Sequence, residues 1–254
     1  MKSFWTKAAL GAAAIFCVGA VHAAVLDFEN VDTSGLLFAP QFSTGDFITQ
    51  GSYLVGAFDG TGDPGPSLVG ALMSPTDPTR PCLDGVCPSG DNTTFYAALN
   101  TGAVAIAANH PIQLMSFQAA LLQPSGGLPT GAFGLLAIEA FKLDGSVAIG
   151  AYALPGAGAS GNTSFATYDV ANATYGLFNN TSGTLTSGAV MELDFFEFYC
   201  SSSSLGSCQL DASNRGQFAL DNITTAVPET SSWALMALGL AALGTVARRR
   251  RQPV

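Results

Sequence analysis

Three carboxylates stand close together late in the chain. Glu192, Asp194 and Glu197 fall within residues 192–197. A pair of carboxylates held about 5 Å apart can divide nucleophilic and acid/base roles between its members. That chemistry requires the side chains to lie on one face of the element that carries them. In a regular strand Glu192 and Asp194 share a face and Glu197 points to the other, so only a bulge would unite all three.

The spacing Glu192-x-Asp194-x-x-Glu197 resembles the ExDxxE motif of jelly-roll glycosidases of the laminarinase and lichenase type. The resemblance implies that Glu192 is a nucleophile and that Glu197 is an acid/base. Two features of the sequence oppose it. Those enzymes continue for many strands beyond the motif, whereas this domain ends soon after it. Their clefts also stack sugars on tryptophans, whereas Trp5 and Trp233 both lie in terminal segments.

The sequence offers little other catalytic chemistry. One histidine, His110, remains after residue 23, and its neighbours Asn109 and Pro111 indicate a turn. Gly-x-Ser-x-Gly, HExxH and Gly-x-x-x-x-Gly-Lys motifs are all missing. We therefore predict a non-enzymatic protein, with the hydrolase as the alternative. In the non-enzymatic interpretation, the stretch 191–199 is a strand that leaves its carboxylates in solvent and buries Leu193, Phe195 and Tyr199.

The region from 24 to 226 begins and ends with similar residues. It opens with Leu26-Asp27-Phe28-Glu29 and closes with Phe218-Ala-Leu-Asp221-Asn-Ile223. The combination resembles the first and last strands of jelly-roll carbohydrate-binding and adhesion modules, in which the Glu and the Asp commonly hold a structural calcium. The resemblance implies Glu29 and Asp221 as calcium ligands, and carboxylate oxygens suit that ion. The alternative is two solvated carboxylates, and no other cofactor is predicted.

Four cysteines remain once Cys17, inside the N-terminal apolar segment, is set aside. An even number in an exported chain predicts disulfides. Three pairings are possible, and the local one closes two short, turn-like loops: Cys82 with Cys87, and Cys200 with Cys208. A zinc site is the alternative, although the spacings are not the tight pairs of a zinc ribbon.

Residues 1–23 have the features of a secretory signal peptide. Lys2 and Lys7 supply a positive start, 8–20 is an apolar run, and small residues at Val21 and Ala23 predict cleavage after Ala23. An uncleaved anchor is the alternative. We expect export across the inner membrane.

Residues 227–254 have the features of a membrane anchor. An apolar run over 233–247 is followed by Arg248, Arg249, Arg250 and Arg251. The run is short for a bilayer span, and the arginines favour the cytoplasmic side. We expect a single transmembrane helix here.

The order Pro228-Glu229, apolar helix, arginine cluster resembles the PEP-CTERM sorting signal of Gram-negative bacteria that produce exopolysaccharide. The resemblance implies an exosortase, together with the secretion machinery, as partners. The family usually has Pro-Glu-Pro, whereas Thr230 stands here in the third position. That departure bears on processing, and an ordinary tail anchor is the alternative.

Charge excludes one class of partner. The 254-residue chain has nine basic and eighteen acidic residues. Only three basic residues, Arg80, Lys142 and Arg215, lie between the terminal segments. Nucleic acid is therefore not a predicted partner, since no basic patch is available to replace its counterions.

Short, punctuated apolar runs predict an all-β ectodomain over 24–226, built as a two-sheet β-sandwich or jelly roll. The turn Asp144-Gly145 between two such runs predicts a hairpin. A helix is the alternative for Ala103–Ala108. Further strands are predicted at 24–30, 47–58, 94–99, 112–122, 135–143, 147–154, 164–170, 189–199 and 216–225.

Together these features predict a cell-surface or matrix protein, anchored to the membrane at least transiently. We expect a structural or adhesive role, with extracellular polysaccharide as a candidate ligand. The alternatives are the glycoside hydrolase and a matrix spacer without a ligand.

Overall fold

The computed structural model describes residues 22–61, 67–82, 87–122, 129–156, 162–178, 181–202, 204–210 and 217–227. The predicted transmembrane helix and all but the last two residues of the predicted signal peptide lie outside these ranges. Within them, no helix is long and apolar enough to cross a membrane. The described chain consists of β-strands, turns and two short 3-10 helices, Val170–Asn172 and Leu205–Ser207. The predicted all-β class is confirmed.

Thirteen strands carry the fold. They are β1 His22–Leu26, β2 Gln41–Ser43, β3 Phe47–Gln50, β4 Tyr53–Asp59, β5 Leu68–Met73, β6 Phe95–Ala98, β7 Gly102–Leu121, β8 Phe133–Lys142, β9 Val147–Leu154, β10 Ala166–Asp169, β11 Val190–Cys200, β12 Cys208–Gln209 and β13 Phe218–Val227. The predicted hairpin at Asp144-Gly145 joins β8 to β9. Ala103–Ala108, for which a helix was the alternative, is part of β7.

The strands form one hydrogen-bonded network whose two halves share β7. The first half-sheet runs β2-β5-β6-β13-β7, with β10 on the other side of β7 and β1 against β13. The second half-sheet runs β4-β7-β11-β8-β9, with β3 on β4 and β12 on β11. The early residues of β7 pair with β4 and β11, and its later residues pair with β13 and β10.

The inner faces of the two half-sheets enclose one apolar core, which gives the molecule a β-sandwich-like architecture. Phe117 of β7 lies at its centre. Its ring stacks on Tyr168 at 5.4 Å and meets Tyr152 and Phe195 edge-on at 5.0 and 5.7 Å. Because those partners belong to both half-sheets, this aromatic cluster joins the two layers.

Two smaller apolar clusters cover parts of the outer faces. On the first half-sheet, Met73, Phe95 and Leu122 pack beneath the side chains of Phe165, Cys82 and Cys87. On the second, Leu135 and Ala151 pack beneath aromatic side chains and the Cys200–Cys208 pair. Both cysteine pairs therefore lie against the outer face of a half-sheet.

Gly102 begins β7 where the backbone passes close to the neighbouring strand. A methyl group there would lie 2.7 Å from the carbonyl oxygen of Leu99 and closer still to that of Val69. Both obstacles are backbone atoms, which cannot rotate away.

We expect Gly102→Ala to lower the free energy of unfolding by about 2 kcal/mol or more, because overpacking against backbone forces the strands apart. Gly56→Ala on β4 is the matched control, since a methyl group there meets nothing within 4 Å. It should change stability by less than about 1 kcal/mol, in the favourable direction. Urea unfolding followed by fluorescence gives both values, and equal losses in the two variants would contradict the prediction.

Candidate functional site

Strand β11 divides the predicted carboxylate trio between its two faces. Leu193 and Phe195 are buried in the core between the half-sheets. The alternating side chains of Glu192 and Asp194 are half-exposed on the outer face. Asp194 stands opposite Glu139 of β8, a residue that the spacing along the chain did not reveal.

Glu197 points the other way, into the interior, so the prediction that the carboxylates of this strand lie in solvent was wrong for Glu197. It is 3% exposed, and neither of its carboxylate oxygens has a hydrogen-bond partner among the described residues. Space for it exists because residue 134 is glycine: a methyl group there would collide with the Glu197 carboxylate. The bulge in β11 lies between Val190 and Glu192, before the motif, so it does not bring Glu197 round to the other two.

Burial and like charge both act on the outer-face carboxylates. Burial, followed by the charges of Glu192 and Glu139, raises the pKa of Asp194 to about 7. Burial also raises the pKa of Glu139. The Asp194 Oδ1 atom has no hydrogen-bond partner in the part of the chain that the structure describes. The outer face thus carries three acidic groups without a described cation beside them.

We name the exposed surface around these carboxylates the acidic face. Its cross-strand neighbours are small or aromatic: Asp194 pairs with Ala105, and Glu192 pairs with Ala107 and Phe141. Farther along β11, Phe196 and Phe198 meet edge-on at 5.6 Å. On the β7 side, the neighbours of the carboxylates therefore have small side chains, and the rings add apolar area at one end.

The predicted calcium ligands lie against the same turn before β6. The carboxylate of Glu29 accepts a 2.7 Å hydrogen bond from the backbone N–H of Thr94. Asp221 of β13 is fully buried, and its Oδ2 lies 3.1 Å from the hydroxyl of Thr93. Asp91, which the sequence interpretation missed, contacts Asp221 directly. Burial, then a hydrogen bond with Asp91, raises the pKa of Asp221 to about 8.

The four cysteines form the two local pairs. Cys82 and Cys87 are disulfide-bonded with their Cα atoms 5.5 Å apart. Cys200 and Cys208 are bonded as direct partners across β11 and β12. The predicted disulfides are confirmed, and of the three pairings that the sequence left open the structure has the local one. These cysteines therefore do not form a zinc site.

His110 is a residue of β7 and not of a turn, so that prediction was wrong. Its Nε2 lies 3.0 Å from the Ser52 hydroxyl, and its Nδ1 lies 3.2 Å from the carbonyl of Pro111. Its ring also meets Tyr53 edge-on at 6.1 Å. These contacts secure the turn between β3 and β4.

The residues predicted to direct sorting lie outside the described ranges: Pro228, Glu229, Arg248, Arg249, Arg250 and Arg251. Ala23, the predicted cleavage position, is the second residue of β1. Cleavage after it would leave Ala24, Val25 and Leu26 in that strand.

Comparisons with known proteins add little to this geometry. No family model matches the chain, and no curated protein matches it. Among solved structures, a DUF4465 family protein from Bacteroides caccae is similar at 11% sequence identity and a TM-score of 0.47. The match covers 82% of this chain and 100% of that one. At this level it carries no argument about function.

Glu197 generates a prediction about pH. Burial raises its pKa well above the ordinary value of 4.5 in the folded state. The folded protein therefore keeps this proton when the unfolded chain has lost it, so stability falls as pH rises above about 4.5. Glu197→Gln, which carries no titrating proton, should remove up to about 1.4 kcal/mol per pH unit of that decline.

The measurement is urea unfolding between about pH 4 and pH 8, where the unfolded carboxyl titrates. Glu192→Gln is the matched control, because it makes the same change on the half-exposed face of the same strand. It should leave most of the decline in place. A Glu197→Gln variant whose stability falls with pH as steeply as the unmodified chain would contradict the interior assignment.

Proposed function

We propose that this chain is an exported, non-enzymatic surface or matrix protein with a jelly-roll ectodomain that contacts extracellular polysaccharide. The observation that carries the proposal is the pair of locally closed disulfides on an all-β domain. Disulfides persist in oxidising compartments outside the cytoplasm. The signal-like and sorting-like segments at the two ends agree with that location.

The acidic face supports a glycan as the ligand. Glu139, Glu192 and Asp194 offer carboxylate oxygens that can accept hydrogen bonds from sugar hydroxyls. Phe196 and Phe198 add rings whose faces suit the apolar side of a sugar. A partly exposed sheet face suits a long polymer better than a small molecule, which is normally held in a concave pocket.

The hydrolase alternative is less well supported by β11. A retaining mechanism needs two carboxylates about 5 Å apart that flank one bond. Glu197, the acid/base that the motif implies, is buried in the interior, away from Glu192 and Asp194. Binding without cleavage fits the outer-face arrangement better.

We expect the mature protein from the producing cell to begin at Ala24 and to end near Pro228. Its intact mass should fall short of the reduced mass by four hydrogens, one pair for each disulfide. Mass spectrometry with and without reductant tests this. A mass that retains the four arginines would indicate a membrane-tethered ectodomain, and free thiols would contradict an oxidising compartment.

We expect polysaccharide from the producing cell to bind the protein, and Asp194→Asn combined with Phe196→Ala to weaken that binding by roughly tenfold or more, the loss of about 1.4 kcal/mol. Isothermal titration calorimetry measures the change. Asp144→Asn on the β8–β9 turn is the control, since it removes an acidic group at a distant exposed turn. Equal binding by all variants would contradict the acidic face as the site. Glucan hydrolysis that Glu192→Gln abolishes would contradict the non-enzymatic role.

A further inference from the structure

Two neighbouring carboxylates, one of them near the start of β13, lack the hydrogen-bond donors that buried charged groups need. Asp91 belongs to the turn before β6, and Asp221 belongs to β13. Their carboxylates contact one another. Asp91 Oδ2 and Asp221 Oδ1 are both buried, and no N–H or O–H group of another described residue donates a hydrogen bond to either oxygen. Asp221 has no exposed surface at all.

The donors around the pair do not suffice for it. The Thr93 hydroxyl touches both Asp91 and Asp221, yet it has one proton to donate. The backbone N–H of Thr93 donates to Asp91 Oδ1 at 2.8 Å, and the Asn222 amide donates to Asp221 Oδ2 at 2.9 Å. None of these groups donates to Asp91 Oδ2 or to Asp221 Oδ1. An unsatisfied buried charge of this kind costs more than a neutral group would.

No basic side chain of the described chain compensates the pair. Lys142 Nζ is bound to the Ser182 carbonyl and the Ser187 hydroxyl, on the second half-sheet. The charge of Arg80 acts on Asp77. The pair therefore needs another positive partner, either a shared proton or a cation.

The turn that contains Asp91 has a common hydrogen-bond pattern, so the unusual feature is the contact between Asp91 and Asp221. Among the described residues, three turns have an aspartate whose Oδ1 accepts hydrogen bonds from the N–H and the hydroxyl of the threonine two residues later. Thr61 and Thr79 make these contacts with Asp59 and Asp77 as Thr93 does with Asp91. Of the three aspartates, Asp91 alone contacts a second, fully buried carboxylate.

We propose that Asp91 and Asp221 together bind a divalent cation, calcium in an extracellular setting. Hard carboxylate oxygens suit this ion, and its flexible geometry accepts neutral oxygens as further ligands. Thr93 Oγ1, which already contacts both carboxylates, is placed to be one of them. The proposal concerns binding to the chain itself and holds whether or not the acidic face binds a glycan.

Glu29 takes a supporting part at this site. Its carboxylate accepts a hydrogen bond from the backbone N–H of Thr94. Among the described residues, no group of three His, Cys, Asp or Glu side chains lies close enough together to hold a metal ion. Two carboxylates completed by neutral oxygens and water give modest affinity, of the order of 10⁻⁴–10⁻³ M as in other extracellular modules. Glu29 holds the turn that presents Asp91.

Binding would brace the last strand of the domain. Asp221 lies where β13 changes register against β7, between Asp221 and Thr224, and Asn222 has a positive φ of 48°. An ion shared with Asp91 would fix this irregular point to the turn before β6. Since β13 leads to the residues predicted as the sorting anchor, the ion would stabilise the strand through which the anchor holds the domain.

The test is thermal unfolding of the full chain after treatment with a chelator. Adding calcium chloride to about 10 mM should raise the Tm by about 3–10 °C, the range expected for that affinity and domain size. Calorimetric titration with calcium chloride should show saturable binding at one site. An equal Tm rise with sodium chloride at matched ionic strength, or an unchanged Tm with no binding heat, would overturn the proposal and leave a shared proton as the partner.

Variants separate this site from general attraction between calcium and an acidic chain. Asp91→Asn and Asp221→Asn should each abolish the calcium-dependent Tm rise. Asp77→Asn is the matched control because it alters the same kind of turn at an exposed place, and it should keep the rise in full. Should Asp221→Asn fail to fold, Asp91→Asn and the titration of the unmodified chain decide the matter. A rise retained in Asp91→Asn would overturn the proposal.

Discussion

The pairing of β7 is the constraint on which both layers of the molecule depend. One strand of 20 residues supplies pairing edges to β4 and β11 early in its length and to β13 and β10 later. Its register therefore fixes both carboxylate sites. It sets Asp194 opposite Ala105 and Asp221 opposite Gln118, so a slip of one residue would turn either side chain to the wrong face.

A shortage of basic residues explains why the carboxylates of this chain pair with hydrogen-bond donors and not with cations. With few cations to pair with, exposed aspartates accept hydrogen bonds from nearby hydroxyl and N–H groups in turns. These bonds hold the pKa of Asp77 and Asp144 below its usual value. Buried carboxylate oxygens in the interior do not have enough of these hydrogen-bond donors. Burial raises the pKa of Glu197 there and favours its uncharged form, whereas the carboxylate of Asp221 contacts a second acid.

The sequence predicted features that depend on neighbouring residues and missed those that depend on distant ones. The hairpin at Asp144-Gly145 follows from short-range chain geometry, and the disulfides follow from an even number of cysteines, although their pairing does not. The all-β class follows from many punctuated apolar runs. By contrast, Glu139 lies beside Asp194 because of the register between β8 and β11, and Asp91 lies beside Asp221 because a turn contacts β13. Spacing along the chain reveals neither contact. Alternation along β11 correctly separated Glu197 from Glu192 and Asp194, because a strand's two faces are a local property.

The raised pKa of Asp194 also fits a binding surface better than an active site. A raised carboxyl pKa often marks catalysis, yet burial and like charges on adjacent strands raise the pKa in the same way. Hydrolysis further requires walls that exclude water and hold the sugar across two carboxylates on the same side. On the β7 side, Ala105 and Ala107 flank the carboxylates with small side chains. For the polysaccharide binding that we propose, such a face would offer many weak contacts along its length, and the binding strength would come from their number.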